Sequence, residues 1–252
     1  MKNKIFIVAG FIFLSSQAFS QGLFVDQAVV EYEVKTNVLK TLGTGTWADA
    51  MREAMPQFKT GYFHFTFYKD KSIYKFDHWG KPMVPEWYRR SDEENIWYAN
   101  HSSNSISIKK SIFGTNFSVQ DSVRDIKWRL TNENRLIAGY NCRKAVGVIL
   151  DSVYVFAFYT DEITISGGPC SISGLPGLIL GMTIPRLYTS WMATSVTLNG
   201  VNPASIKPPS AKKTETLKEL ETVLRSRTKD WVDSDDSDSK AWIDQMLWTS
   251  LL

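Results

Sequence analysis

The side chains able to do chemistry in this 252-residue sequence are spread out, and few stand at spacings that chemistry demands. Ser171 and Ser173 lie among glycines, but neither occupies the centre of Gly-x-Ser-x-Gly, and no strand–elbow–helix pattern follows them. His64, His78 and His101 are scattered with no acidic partner at a diagnostic distance, so no nucleophilic triad can be assembled. Zinc spacings such as His-Glu-x-x-His and Cys-x-x-Cys are missing. His64 and His78 could face each other across a hairpin as half a metal site, or simply sit on a strand surface. The Asp233–Asp238 run lacks the central glycine and closing glutamate of a calcium loop and reads as a solvated linker with a helix cap. Gly43-Thr-Gly45 has no lysine in the phosphate-loop pattern. Glu86 with Asp92, Glu93 or Glu94 would serve glycoside hydrolysis only at the right separation, and otherwise these acids are solvated. No catalytic residue, metal ligand or cofactor-binding residue is therefore assigned.

Binding has more support. Trp79, Trp87, Tyr88, Trp97 and Tyr98 cluster in a polar-rich segment, with Arg89 and Arg90 between them. Rigid rings and guanidinium groups give large contact area at low entropic cost, the make-up of concave binding surfaces and protein interfaces. The same residues also suit sheet packing, and both readings stand at this level.

The chain has two cysteines, Cys142 and Cys170. In an oxidising compartment they form an expected disulfide, worth about 3–4 kcal/mol by the chain-entropy argument. Free thiols or a soft-metal site are the alternatives.

The elements that must position these residues begin with an address. Lys2 and Lys4, the apolar run from Ile5 to Leu14 and the Ala18-Phe19-Ser20 site have the form of a secretory signal peptide. Cleavage near Ser20 would lower the formal charge from +3 to about +1, which argues against a nucleic-acid surface. No segment after the signal is long and apolar enough to span a membrane. The expected location is periplasmic or outer-membrane associated.

Period-2 alternation then predicts a succession of strands: 24–36, 62–68, 72–78, 94–99, 105–112, 116–122, 126–131, 135–146, 148–160 and 187–198. Thr46 should cap a short helix from Trp47 to Met55. Phe63, Phe65 and Phe67 should face the core, and 148–160, apolar on both sides, should lie inside the sheet. Leu175-Pro176-Gly177-Leu178 has the composition of a type II turn, with Gly177 at positive φ, and its apolar flanks require that it be buried or covered. After the proline-rich stretch at 203–209, helical periodicity appears in 217–231 and 241–252. The expected fold is mainly β, within α+β: one curved, bowl-like antiparallel sheet with a short early helix and a C-terminal helical pair. The divisions are 1–20 for the signal, 21–202 for the β-rich domain, and 203–252 for linker and helices.

Ile137-Ala-Gly-Tyr-Asn-Cys-Arg-Lys-Ala145, then Phe158-Tyr-Thr160 with Ile163, Gly168-Pro169 and Gly174-Leu-Pro-Gly-Leu-Ile179, resemble the signature blocks of the GLPGLI family of secreted Bacteroidetes proteins. The similarity spans about residues 25–200. It departs at Phe156-Ala-Phe158, where the family often has tryptophan, and leaves out the C-terminal helices. The resemblance implies export, a β-rich fold and an accessory role beside a TonB-dependent outer-membrane transporter or another envelope protein, with no catalytic residue. The expected function is non-enzymatic binding in such a system; the alternative is a periplasmic hydrolase acting on peptides or glycans.

Overall fold

A computed structural model describes residues 25–231 and 237–252. The expected signal peptide lies outside the described residues, as does most of the Asp233–Asp238 run. The strands are β1 (Gln27–Asn37), β2 (Phe58–Tyr68), β3 (Lys71–Trp79), β4 (Ile96–Asn100), β5 (Ser105–Ile112), β6 (Thr115–Ser122), β7 (Arg129–Ile137), β8 (Tyr140–Ile149), β9 (Val153–Thr160), β10 (Leu178–Ile184) and β11 (Thr189–Thr197). Helices are α1 (Val38–Thr41), α2 (Thr46–Ala54), α3 (Glu86–Glu94), α4 (Leu217–Thr228) and α5 (Ser237–Leu251). The protein is mainly β. Its eleven strands form one open sheet in the order β6-β5-β4-β3-β2-β1-β11-β10-β9-β8-β7, and every paired neighbour is antiparallel. Two meanders thus meet at the β1–β11 seam.

Alternation decides which side of each strand is buried. Ala28, Val30, Tyr32 and Val34 of β1 are buried, and opposite them in β2 stand Phe67, Phe65, Phe63 and Gly61. The phenylalanine face is the core face. β9 lies inside the sheet, between β8 and β10. The expected strand at 148–160 is divided in two: Leu150 and Asp151, at φ 49° and 64°, make the tight turn that joins β8 to β9. Paired left-handed residues match the twist of hairpin strands.

The Gly167–Leu178 stretch crosses the core face. The 3-10 turn at Pro169–Ser171 reaches β3 and β4, and the chain returns to β10 through the parallel bridge of Gly167 with Leu178. Leu175, Leu178, Ile179 and Leu180 are buried in the protein's own core, and the Tyr32 hydroxyl donates a hydrogen bond to the Ile179 carbonyl. The type II turn is not formed. Gly177 lies outside the left-handed region, and the residue there is Gly174, at φ 94°. Glycine is needed at 177 for another reason: a β-carbon there would stand 2.0 Å from the Thr160 carbonyl oxygen.

The expected disulfide is also corrected. Cys142 and Cys170 are both free and buried. Cys142 is on β8, where its Sγ lies 3.6 Å from the Tyr140 carbonyl oxygen. Cys170, left-handed at φ 54°, sits in the turn against β3 and β4, on the other side of the β1–β11 seam from β8. Burial is the main reason that each thiol is pushed up to about 12, so both stay protonated at neutral pH.

α4 begins with a capping box. Thr216 Oγ1 accepts from the Glu219 N–H at 3.2 Å, and the Glu219 carboxylate accepts from the Thr216 N–H at 2.7 Å. Leu220 and Leu224 of α4, with Ile243, Leu247 and Leu251 of α5, join the same apolar cluster as the sheet. Among the described residues no helix is long and apolar enough to cross a membrane.

Candidate functional site

A cavity of about 540 Å³ lies over the core face of β2–β5, bounded by α3, the turn at Cys170 and α5. α3 forms its outer wall. The sequence pattern did not reveal this helix, because none of its residues is buried and its composition is that of a loop. Two signals were available: Pro85 just before it, and the i,i+4 pairs Arg89–Glu93 (3.6 Å) and Arg90–Glu94 (2.9 Å).

The structure divides the aromatic–arginine cluster. Trp79, Trp87, Tyr88 and Trp97 line the cavity. Arg89 does not: it turns toward Glu93, and its Nε is buried without a partner. Tyr98 follows Trp97 on β4 and points to the opposite face, where it packs with Ile73 and Ile206. That split is the period-2 rule applied to neighbouring residues.

The wall aromatics are held by hydrogen bonds at their edges. Trp79 Nε1 donates to Glu93 Oε1 at 2.6 Å, and Trp97 Nε1 donates to the Leu252 carbonyl at 2.9 Å. The Tyr88 hydroxyl is 3.0 Å from Thr41 Oγ1, and Trp242 of α5 donates to the Thr41 carbonyl at 3.1 Å. Two lysines stand over ring faces of this wall: Lys59 Nζ lies 4.8 Å from the Tyr88 ring centroid and Lys110 Nζ 4.7 Å from that of Trp97.

Three polar side chains that the sequence pattern did not single out, Lys59, Lys110 and Tyr74, lie in the same wall. Asp92 and Lys59 form an ion pair at 2.5 Å. Burial is the largest influence on Lys59 and lowers its pKa, but the Asp92 charge, Tyr88 and the hydrogen bond to Asp92 together outweigh it, and the lysine is held above its ordinary value. Lys110 stands on β5 in the core-facing series Ile106, Ile108, Lys110, Ile112, and that one charged residue among isoleucines was a legible signal. Its residue is 4% exposed, and burial pushes its pKa down to about 8. Tyr74 is 2% exposed, and its hydroxyl has no partner of normal hydrogen-bond geometry, with the Trp191 side chain beside it.

The cavity can seat a ligand with apolar faces and a few polar groups. Among the described residues its one acidic side chain is Asp92, so the carboxylate pair considered for glycoside hydrolysis is not assembled there: Glu93 and Glu94 face Arg89 and Arg90 instead. His64 and His78 do not face each other, since β2 and β3 pair Tyr62 with His78 and His64 with Lys75. Among the described residues no group of three or more His, Cys, Asp and Glu side chains could hold a metal ion.

Fold and site together define a class: an α+β protein on an open antiparallel sheet, with an aromatic-walled cavity closed by its helices. Residues 91–220, more than half of the chain, match the family described as "N-glycanase peptide, N-terminal domain", and the chain belongs to that family. Two crystal structures of PNGF-II share the fold, at TM-scores of 0.51 and 0.52 and 16% identity, each match covering 80% of this chain. The match covers 33% and 34% of those chains, so this protein spans about a third of the length of PNGF-II. No curated protein matches the chain.

Proposed function

We propose that this protein recognises glycans, and that the cavity between α3, α5 and the sheet is the sugar site. The observation that carries the proposal is the wall: Trp79, Trp87, Tyr88 and Trp97 surround a space within the usual range of about 300–1,000 Å³ for ligand pockets. A pyranose offers apolar C–H faces that stack on indole and phenol rings, and its hydroxyls need only a few fixed polar groups at the edge. Family membership supports glycans over other ligands of similar shape, which favours the substrate class of the alternative expectation.

Hydrolysis is the second reading, supported by the same family description. The wall argues for binding, because it offers a single carboxylate and that one is tied to Lys59. One experiment separates the two. The protein is titrated with an N-glycopeptide by tryptophan fluorescence, and the mass of the peptide is measured after prolonged incubation. Saturable binding that is lost in Trp97→Ala, with peptide mass unchanged, supports recognition. A mass change dependent on Asp92 would make it an enzyme, and absence of any binding would remove the glycan reading.

The cellular setting belongs to the same proposal. Residues 1–20 act as an export signal, and the sheet of 21–202, curved around the cavity and closed by the helices of 203–252, serves an outer-membrane transport system. The GLPGLI resemblance and the signal-like N-terminus support this setting. Crosslinking in cells, followed by mass spectrometry, should recover a stoichiometric outer-membrane transporter, and recovery of the protein alone would remove the partner.

A further inference from the structure

We infer that the sugar seated in this cavity is an acidic one, whose carboxylate is held between Lys110 and Tyr74 beside the Trp97 ring. The inference rests on the glycan reading and names the class of glycan.

Lys110 Nζ lies 4.7 Å from the Trp97 ring centroid, and the Tyr74 ring centroid lies 5.4 Å from that of Trp97. Both residues line the cavity, on the strands either side of Trp97, and both face the Cys170 turn. Among the described residues Lys110 has no carboxylate within ion-pair distance, and its hydrogen bond to the Thr249 carbonyl is long, at 3.4 Å. A buried ammonium without a counter-ion and a buried hydroxyl without an acceptor are each costly, and one bound carboxylate would satisfy both. The protein's own acid in the wall cannot do so, because Asp92 is engaged by Lys59.

The count of free charges selects the anion. Arg90 is paired with Glu94, and Arg124, which donates to the Leu251 carbonyl, does not line the cavity; among the described residues this leaves Lys110 as the wall's cation without an ion-pair partner. One ammonium and one hydroxyl suit a monoanion, whereas a phosphate dianion calls for several charged donors. The aromatic wall then requires that the carboxylate be carried on a body with apolar faces, as in a uronic or sialic acid.

The pH dependence follows from the groups that face Lys110: Cys170 from the turn, Arg124 from the segment after β6, and Asp92 from α3. With Lys110 at about 8 in the free protein, a bound carboxylate raises it again. Affinity for acidic sugars should be level below pH 8 and fall up to tenfold per unit above it.

The test is tryptophan fluorescence titration with N-acetylneuraminate and glucuronate, against N-acetylglucosamine and glucose, and against N-acetylglycine as a carboxylate without a sugar ring. Acidic sugars should bind at least tenfold more tightly than neutral ones. Lys110→Gln and Lys110→Met should abolish that preference, and Tyr74→Phe should lower it several-fold. Equal binding of neutral and acidic sugars overturns the inference and leaves the glycan reading standing; this comparison uses the unaltered protein and does not depend on a variant folding. N-acetylglycine binding as tightly as the acidic sugars, with the same Lys110 dependence, keeps the carboxylate seat but overturns the sugar. Binding of none of the five overturns both.

Discussion

The carbonyl oxygen of Thr160 lies 2.0 Å from the point where a β-carbon on Gly177 would stand. Gly177 is therefore required by the closeness of two backbones, since its φ is one that other residues adopt. Gly177→Ala should destabilise the protein by about 2 kcal/mol or more, because backbone cannot yield as a flexible side chain can. Gly139 provides the control. It has φ 87° and open space around it, so Gly139→Ala should cost only about 1 kcal/mol of backbone strain. Equal losses in urea unfolding would show that the Thr160 contact is not decisive.

Much of the sheet was legible in the sequence, because a half-buried strand must alternate and these strands do. Phe63, Phe65 and Phe67 announced the core face of β2. What failed were features without an apolar stripe or a turn glycine to mark them. α3 buries nothing and so has no apolar stripe to read, and the turn at Leu150-Asp151 carries no glycine. The cavity itself was beyond reach: β5, the Cys170 turn and α5 come together only through long-range pairing. Tyr98 was different. Its adjacency to Trp97 on a strand already placed them on opposite faces.

Tyr32 ties the centre of the sheet to the crossing loop, through its hydroxyl and the Ile179 carbonyl. Both groups are buried, and burial, with the nearby Cys142, raises the phenol pKa far above its ordinary value. Tyr32→Phe should cost about 1–2 kcal/mol, since it leaves the carbonyl unsatisfied without changing the packing. A melting curve unchanged by this variant would mean that water replaces the hydroxyl.

The two cysteines can be counted directly. Native protein, purified without reductant, should react negligibly with a thiol reagent, because Cys142 and Cys170 are buried and protonated. Denaturation should release two titratable thiols. Zero thiols after denaturation would show that a disulfide forms in the purified protein.

α4 offers a local test of how the helices are fixed. Thr216→Ala removes one half of the capping box and should cost about 1 kcal/mol, as such caps commonly do. Glu219→Gln keeps much of the geometry and should cost less. As pH falls through the Glu219 titration, the cost of Glu219→Gln should shrink while that of Thr216→Ala persists in part. Hydrogen bonds to the Thr216 backbone and side chain hold the Glu219 carboxyl below its usual range and their contribution is lost once it is protonated, whereas the Glu219 N–H still donates to Thr216 Oγ1.

Lys110 makes a prediction about stability that is separate from ligand binding. Burial lowers its pKa to about 8 in the folded protein, against about 10.4 in an unfolded chain. Between those values the unfolded state binds more protons than the folded one, so this residue makes stability rise with pH across that window. Below pH 8 the folded protein bears the full cost of the buried charge, which is about 3 kcal/mol at 1.36 kcal/mol per unit. Lys110→Met, similar in length and apolar, should therefore stabilise the protein at pH 7. The gain should shrink through pH 8–10 and vanish near pH 10.5, where the lysine is neutral in both states. Urea midpoints of the two proteins at several pH values measure it, and other titrating groups cancel in the difference. A gain independent of pH would mean that Lys110 is as well solvated folded as unfolded. A gain confined to low pH identifies a residue kept at the expense of stability, which is what a ligand-binding ammonium should be.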